Sequence, residues 1–537
     1  MKKRTVAISI ALASVLAVSP AVLSGCSGDH YSEISFPAQD TSYAVTSQGG
    51  SAVAYGNYIY FINGTRGYDD TNGNSNVWDE VVKGALYRAE LNGEKYVDQN
   101  DGLTKFRAKL DDNGLEFKYE EKKDYFDNPE NVVNTTKIAP KTIGTESFSK
   151  GGIFIYDNAI FFASPNNEKN STGTVQSSRT DFFMMPLNGG EPTKLYTTSE
   201  NVDTKSSAYA FYKFKNSVYL VVNEGSNIVS VKINHSKGEA DDPVTFKVNA
   251  TGVYFPVRDT YYKGISQNTP EDFIYFVRNV KDGDQQRAGT VIEAMRPDGS
   301  ENFVVSMNGK EESLEAVRDG VLFYRTKNKV GNDVIAYDNL HNMLMTYSSG
   351  YKAEQEKLDP ADRNKQIGGK YASTDSSNAY FPTEISSSIT ATYAFRPDRL
   401  SNTVYFIGAT SSSVNMYSTD GNVETLCRTS GTPLFISENY LYMSGSNSDF
   451  YRVPLYPHMD GYGEAQKLAE NTTSAGISCD YAAGYFTYFA EVDKWANGYT
   501  YFYKVDGPEG MEPQFVGQRA KSDIPTEDQI KEEKGEE

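Results

Sequence analysis

Tyr58-Ile59-Tyr60-Phe61-Ile62-Asn63-Gly64, answered by Leu86-Tyr87-Arg88-Ala89-Glu90-Leu91-Asn92-Gly93, is a phrase that this chain repeats. Aromatic and β-branched residues alternating over a short run suit a pleated surface that packs on its neighbours. The Asn-Gly closing each run supplies residues that tolerate positive φ at a tight turn. Working outward, Ile160-Phe161-Phe162-Ala163 is answered by Phe182-Phe183-Met184-Met185-Pro186-Leu187-Asn188-Gly189. Val218–Val222 is answered by Ile228–Ile233, and Phe273–Val277 by Ile292–Gly299. Val321–Tyr324 then precedes Val334–Tyr337, Val404–Ile407 precedes Val414–Gly421, Tyr440–Met443 precedes Phe450–Leu455, and Tyr485–Phe489 precedes Tyr499–Gly507.

These are about eight units at a mean spacing of roughly 60 residues, a period that points to repeat architectures. Each unit holds two strong strands, and weaker runs beside them supply two more. In the third unit Tyr209–Tyr212 lies before the pair and Val244–Val248 after it. Four short antiparallel strands per repeat describe a propeller blade, which cannot bury both of its faces alone and so leans on its neighbours. The expected fold is all-β: a β-propeller of seven or eight four-stranded blades with long loop insertions. Two or three β-sandwiches are the alternative, but no Pro/Gly/Ser-rich linker divides the chain. The composition agrees, with 39 Tyr and 28 Phe against 2 Trp.

The Tyr-Ile-Tyr-Phe and Leu-Tyr-Arg-x-x-Leu-Asn-Gly phrasing resembles the propeller repeats of uncharacterised bacterial lipoproteins, a family of unknown function. The likeness covers roughly residues 50–510. It implies a fold and carries no catalytic residue across.

The N-terminus supports the same comparison. Lys2, Lys3 and Arg4 precede an apolar run from Thr5 to Leu23, which closes on Leu23-Ser24-Gly25-Cys26. The order of charged, apolar and small-residue segments is that of an export signal. The closing tetrapeptide resembles the bacterial lipobox, which implies a diacylglycerol on the Cys26 sulfur and cleavage just before it. An ordinary secretory signal or an N-terminal membrane anchor would share the first two segments. Residues 1–25 are thus expected as a lipoprotein signal peptide and 26–50 as a lipidated linker. The propeller is expected over 51–520, with insertions near 94–150 and 348–385 that could each include a short helix. The tail 521–537, ending Lys531-Glu532-Glu533-Lys534-Gly535-Glu536-Glu537, reads as disordered and acidic. After Cys26 no apolar run approaches the roughly 18 residues of a membrane helix. The expected location is the outer side of a bacterial cell membrane, held by lipid. Ser27, in place of Asp, would by analogy with that family disfavour retention at the inner of two membranes.

The formal charge of −19 becomes −22 once Lys2, Lys3 and Arg4 are removed. Such a surface repels phosphate backbones, and nucleic acid is excluded as a partner. With Cys26 used for the anchor, only Cys427 and Cys479 remain, either as a pair or as buried thiols; the fold does not rest on disulfides.

Site chemistry is sparse. Asp69–Asn76 and Asp98–Gly102 have the oxygen density of calcium loops but place Gly and the bidentate acid wrongly. No metal or cofactor is expected. His30, His235, His341 and His458 lie far apart in sequence, no Gly-x-Ser-x-Gly elbow occurs, and the histidines read as structural or surface residues. No carboxylate pair stands out among 71 acidic residues, and no catalytic residue is assigned. Rim tyrosines could stack on sugars, although alternating Tyr and Phe in strands more often pack between blades. The sequence therefore points to a non-catalytic, lipid-anchored envelope protein that binds or scaffolds. Its expected partners are the membrane, through the lipid, and an envelope protein or a glycan. The alternative is an extracellular propeller enzyme acting on glycans or peptides in its central funnel.

Overall fold

A computed structural model describes residues from Tyr43 to Phe515, apart from intervening stretches; those of eight residues or more are 65–83, 140–151, 200–208, 264–271, 281–288, 340–382, 396–404, 491–498 and 505–513. The calcium-like loop 69–76, Cys26, His30, His341, the signal peptide and the acidic tail lie outside the described residues.

Eight antiparallel sheets of four or more strands follow one another along the described chain. Blade 1 is Ala52–Tyr55, Tyr58–Ile62, Leu86–Glu90 and Thr135–Ala139. Blade 2 is Phe154–Tyr156, Ala159–Pro165, Thr180–Pro186 and Thr193–Thr197. Blade 3 is Tyr209–Phe214, Ser217–Glu224 and Asn227–Asn234, with a split outer strand, Glu239–Ala240 and Val244–Phe246. Blade 4 is Ala250–Tyr254, Ile274–Val280, Gly289–Met295 and Asn302–Val304. Blades 5 to 8 start at Ser313–Arg318, Ala391–Phe395, Gly431–Ser437 and Thr473–Asp480, each followed by three more strands. In every blade the two strongest runs of the sequence are the second and third strands. The chain is a β-propeller, and its described residues form eight blades.

The packing explains why those two strands are so apolar. On blade 2, Ile153, Ile155, Ile160, Phe162 and Met185 join Val53, Tyr60, Ile62 and Leu86 of blade 1 in one buried cluster. The alternate residues Phe154, Phe161, Phe182 and Met184 join Phe211, Leu220 and Val231 of blade 3 in another. A strand with both faces covered by neighbours shows a continuous apolar run instead of alternation. Equivalent clusters fill the seams between blades 3 and 4, 4 and 5, and 6 and 7. Between blades 2 and 3 the filling is aromatic: Phe154 stacks on Phe211 at 6.0 Å, and Phe182 meets Tyr209 edge-on at 5.0 Å. Each such pair adds about 0.5–1.5 kcal/mol beyond its area burial.

A second repeated device is the Arg of the third strand. Arg88 lies opposite Tyr60 and stacks diagonally on Tyr58 at 4.2 Å. Arg452 lies opposite Tyr442 and stacks on Tyr440 at 4.6 Å, the same geometry six blades on.

Among the described residues the ring closes without strand exchange. Blade 1 is built wholly from residues 52–139 and blade 8 from 473–515. Their inner strands, Ala52–Tyr55 and Thr473–Asp480, lie side by side. The first insertion holds three hairpins, Gly93–Val97 with Thr104–Ala108, Leu110–Asp111 with Gly114–Leu115, and Tyr119–Lys122 with Glu130–Val133. Described residues of this insertion contain no helix, and its last strand, Thr135–Ala139, is the outer strand of blade 1. Gly114–Leu115 runs beside Tyr499–Lys504, the third strand of blade 8, so the insertion crosses the seam where the ring closes. The second insertion lies almost wholly outside the described residues; its end, Thr383–Ser386, is the outer strand of blade 5.

Candidate functional site

Blade 2 has six strands, because two extra strands are added on its inner side. Tyr43–Thr46 pairs antiparallel with the inner strand Phe154–Tyr156, with Ala44 opposite Tyr156 and Thr46 opposite Phe154. Tyr261–Lys263 pairs with the far edge of that strand, Ala44 opposite Tyr262. Tyr261–Lys263 belongs to the connection between the first and second strands of blade 4. Residues expected as linker therefore form a strap that crosses the inner side of the ring and meets a loop reaching in from blade 4. Ala44 and Val45 are buried, and Ser47 locks the end of the strap: its Oγ accepts from Ile153 N at 2.8 Å, and its N–H donates to Ile153 O at 2.9 Å.

At the other end of the strap, beside Tyr156, the tight turn Asp157-Asn158 joins the first two strands of blade 2. Both residues have positive φ, 48° and 61°, the conformation that matches the twist of a two-residue hairpin. The turn presents Asp157 to His235, on the turn after the third strand of blade 3, with Nε2 and Oδ2 2.8 Å apart. His235 also meets the Tyr156 ring edge-on at 5.1 Å, and Lys213 Nζ sits 4.9 Å from the centroid of the same ring. Lys213 donates to the Lys215 carbonyl at 2.6 Å. Burial pushes the Lys213 ammonium below its ordinary pKa, partly offset by the Asp157 charge. Burial, and then that same charge, push the Tyr156 phenol up.

This Asp157–His235–Tyr156–Lys213 cluster is the one place among the described residues where the fold makes a histidine–carboxylate pair. The two residues are 78 apart in sequence, and nothing local in the sequence pairs them. A serine-hydrolase constellation needs a hydroxyl at the free imidazole nitrogen. Here that nitrogen, Nδ1, is buried without a hydrogen-bond partner, and Ser236 Oγ beside it donates instead to Asn234 Oδ1 at 2.9 Å. The pair ties the turns of blades 2 and 3 together. His458, the other described histidine, is exposed and stacks on Tyr456.

The opposite end of the ring has its own tie between the same blades. Tyr196 Oη donates to Glu224 Oε1 at 2.6 Å, and Ser199 N donates to the same oxygen at 3.3 Å. Inside blade 4, the fully buried Glu293 meets Arg278 Nε at 2.5 Å. A charge removed from water needs such a partner, and breaking the pair costs more than the pair contributes. Cys427 is buried and carries no disulfide. Among the described residues no group of His, Cys, Asp and Glu is arranged to hold a metal ion, and no helix is long and apolar enough to cross a membrane.

No protein-family model matches the chain, and no curated protein matches it in sequence. Solved structures do. The Dos1 propeller is 7% identical, with 89% of this chain and 96% of that one covered at a TM-score of 0.37. The β-propeller domain of the Trilobed protease from Pyrococcus furiosus is 10% identical, covering 80% and 97% at a TM-score of 0.32. A puromycin-hydrolyzing peptidase of Mycobacterium tuberculosis is 9% identical, covering 70% of this chain and 54% of that one at a TM-score of 0.36. At such identities nothing that these proteins bind or cleave transfers to this chain.

Proposed function

We propose that this chain is a lipid-anchored envelope protein whose propeller binds or scaffolds a partner and carries out no chemistry of its own. The observation that carries this reading is the strap. Tyr43–Thr46 and Tyr261–Lys263 extend the inner edge of blade 2 by two strands, about 9–10 Å at ordinary strand spacing. They occupy the inner side of the ring along blade 2, part of the space where a funnel enzyme would hold substrate, and leave the two faces and the rim for docking. The lipid is the diacylglycerol expected on Cys26, the ring faces away from the cytoplasm, and the partner is an envelope protein or a glycan.

The test is in-cell crosslinking in the native host, followed by mass spectrometry of the captured material. Recovery of one envelope protein by crosslinkers placed on the ring supports scaffolding. Deletions must stop at residue 133, since Thr135–Ala139 belongs to blade 1. The competing reading, an extracellular enzyme acting on glycans or peptides, has one observation in its favour, the Asp157–His235 pair beside Tyr156. Turnover of a peptidoglycan or peptide library that disappears in both Asp157→Asn and His235→Gln would decide for the enzyme.

A further inference from the structure

We infer that the propeller is held with one defined face towards the bilayer: the face bearing the turns between first and second strands, and between third and fourth strands, of each blade. This deepens the proposed function and rests on its lipid at Cys26. Strand polarity fixes where the strap leaves the ring. Tyr43–Thr46 runs antiparallel to Phe154–Tyr156, so Tyr43 lies at the Tyr156 end, beside the Asp157-Asn158 turn. That turn joins first and second strands, and His235 beside it lies on a turn joining third and fourth strands. The backbone at Tyr43 therefore heads towards Cys26 from this face, near the centre of the ring.

The length of that chain then decides the orientation. Seventeen residue steps separate Cys26 from Tyr43, and at full extension they reach at most about 60 Å. With the exit face towards the lipid, none of that reach is needed to travel around the protein. With the ring inverted, the tether must first cross blade 2 from the strap to its outer strand Thr193–Thr197, four strand spacings or about 19 Å. It must then descend the height of the ring, about 26 Å for an eight-residue strand such as Ser217–Glu224. About three-quarters of the full reach is taken up before the lipid is met, and a chain pulled that straight gives up most of its backbone freedom. Ser47 pins the strap at its far end, so the exit point cannot slide to the other face.

Two consequences follow from topology. The insertion between the third and fourth strands of blade 1, with its hairpin Gly93–Val97 and Thr104–Ala108, starts and ends on the membrane-side face. The outward face carries the turns between second and third strands, such as Gly225-Ser226, and the passages between blades, and it is the face open to a partner in the envelope.

The test uses the full lipidated protein in vesicles containing headgroup-labelled acceptor lipids. A fluorescent noncanonical residue is placed at Lys237 or at Ser226, both exposed and at opposite ends of blade 3. Energy transfer to the lipid is expected to be about twofold or more stronger from position 237, given a ring height of about 26 Å. Equal transfer, or stronger transfer from position 226, overturns the orientation. The mass of the N-terminal peptide is measured on the same samples. An acylated Cys26 with equal or inverted transfer defeats the orientation alone, whereas an unmodified Cys26 defeats the lipid reading and the orientation with it.

Discussion

Replacing Gly299 with Ala should destabilise the seam between blades 3 and 4 by two separable routes. Gly299 ends the turn Arg296-Pro297-Asp298-Gly299, where its N–H donates to Arg296 O at 2.9 Å and Asp298 Oδ1 accepts from Ser300 N at 2.9 Å. Its φ is +71°, a conformation that costs an L-residue about 1–2 kcal/mol. A Cβ there would also stand 2.5 Å from Cε1 and 2.6 Å from Cζ of Phe246, the buried ring on the outer strand of blade 3. Forcing a side chain into a filled seam costs about 1–3 kcal/mol. The substitution should therefore lose about 2–5 kcal/mol in all. Urea denaturation followed by two optical probes measures the loss, and a double-mutant cycle divides it. In a Phe246→Ala background the ring is absent, so Gly299→Ala should cost only the backbone share of about 1–2 kcal/mol. An equal cost in both backgrounds would show that the contact with Phe246 is not what excludes a side chain here, and the packing argument for this seam would fail.

Phe182→Ala should cost about 3–5 kcal/mol, because it empties the aromatic seam shared with Tyr209 and Phe211; the same urea assay reads it, and a loss below 1 kcal/mol would contradict the packing described. Stability should fall in alkali. Tyr219 is pushed up to about 12 by burial and then by the Asp298 and Asp241 charges, and Tyr462 to about 12 by burial and by Glu424. A folded-state pKa above the unfolded value of 10.0 means that this stability is fully present below pH 10 and is lost as pH rises towards 12. Ultraviolet titration should show these phenols ionising later than free tyrosine, and normal titration of all of them in the native protein would refute it. Cys427 should resist iodoacetamide at neutral pH until the protein unfolds, since burial raises its thiol pKa and its Sγ lies 3.5 Å from the Thr429 carbonyl; peptide mapping after a timed pulse checks this.

What was legible in the sequence, and what was not, follows from where each strand finds its partners. Tyr58–Ile62 and Leu86–Glu90 pair with each other within one blade and are buried on both faces, so their apolar runs announce them without help from the rest of the chain. The same holds for the pairs of blades 2, 3, 4 and 7. The strap Tyr43-Ala44-Val45-Thr46 is four residues of ordinary composition, and its partners lie near residues 155 and 262. Nothing local marks it as a strand, and it reads as linker. The insertion hairpins are similarly quiet: Tyr119–Lys122 is largely charged and pairs only with Glu130–Val133. The Asp157–His235 pair joins turns on two different blades, so only the closed ring brings it about.

These quiet segments are where the ring departs from simple repetition, and their positions fit one physical need. A propeller that shares no strand between its first and last blades has one seam held only by side-by-side packing. In this chain the inner strands of blades 1 and 8 meet there, and the blade 1 insertion crosses the same seam to run beside Tyr499–Lys504. On the inner side the strap couples blade 2 to the loop of blade 4 through main-chain pairing, which depends little on side-chain identity. Segments that a repeat would not contain thus add main-chain pairing between blades, which the repeats join mainly through side chains. An anchor that pulls on the chain before Tyr43 would pull along a strand held on both of its edges, and the load would pass into blades 2 and 4 together.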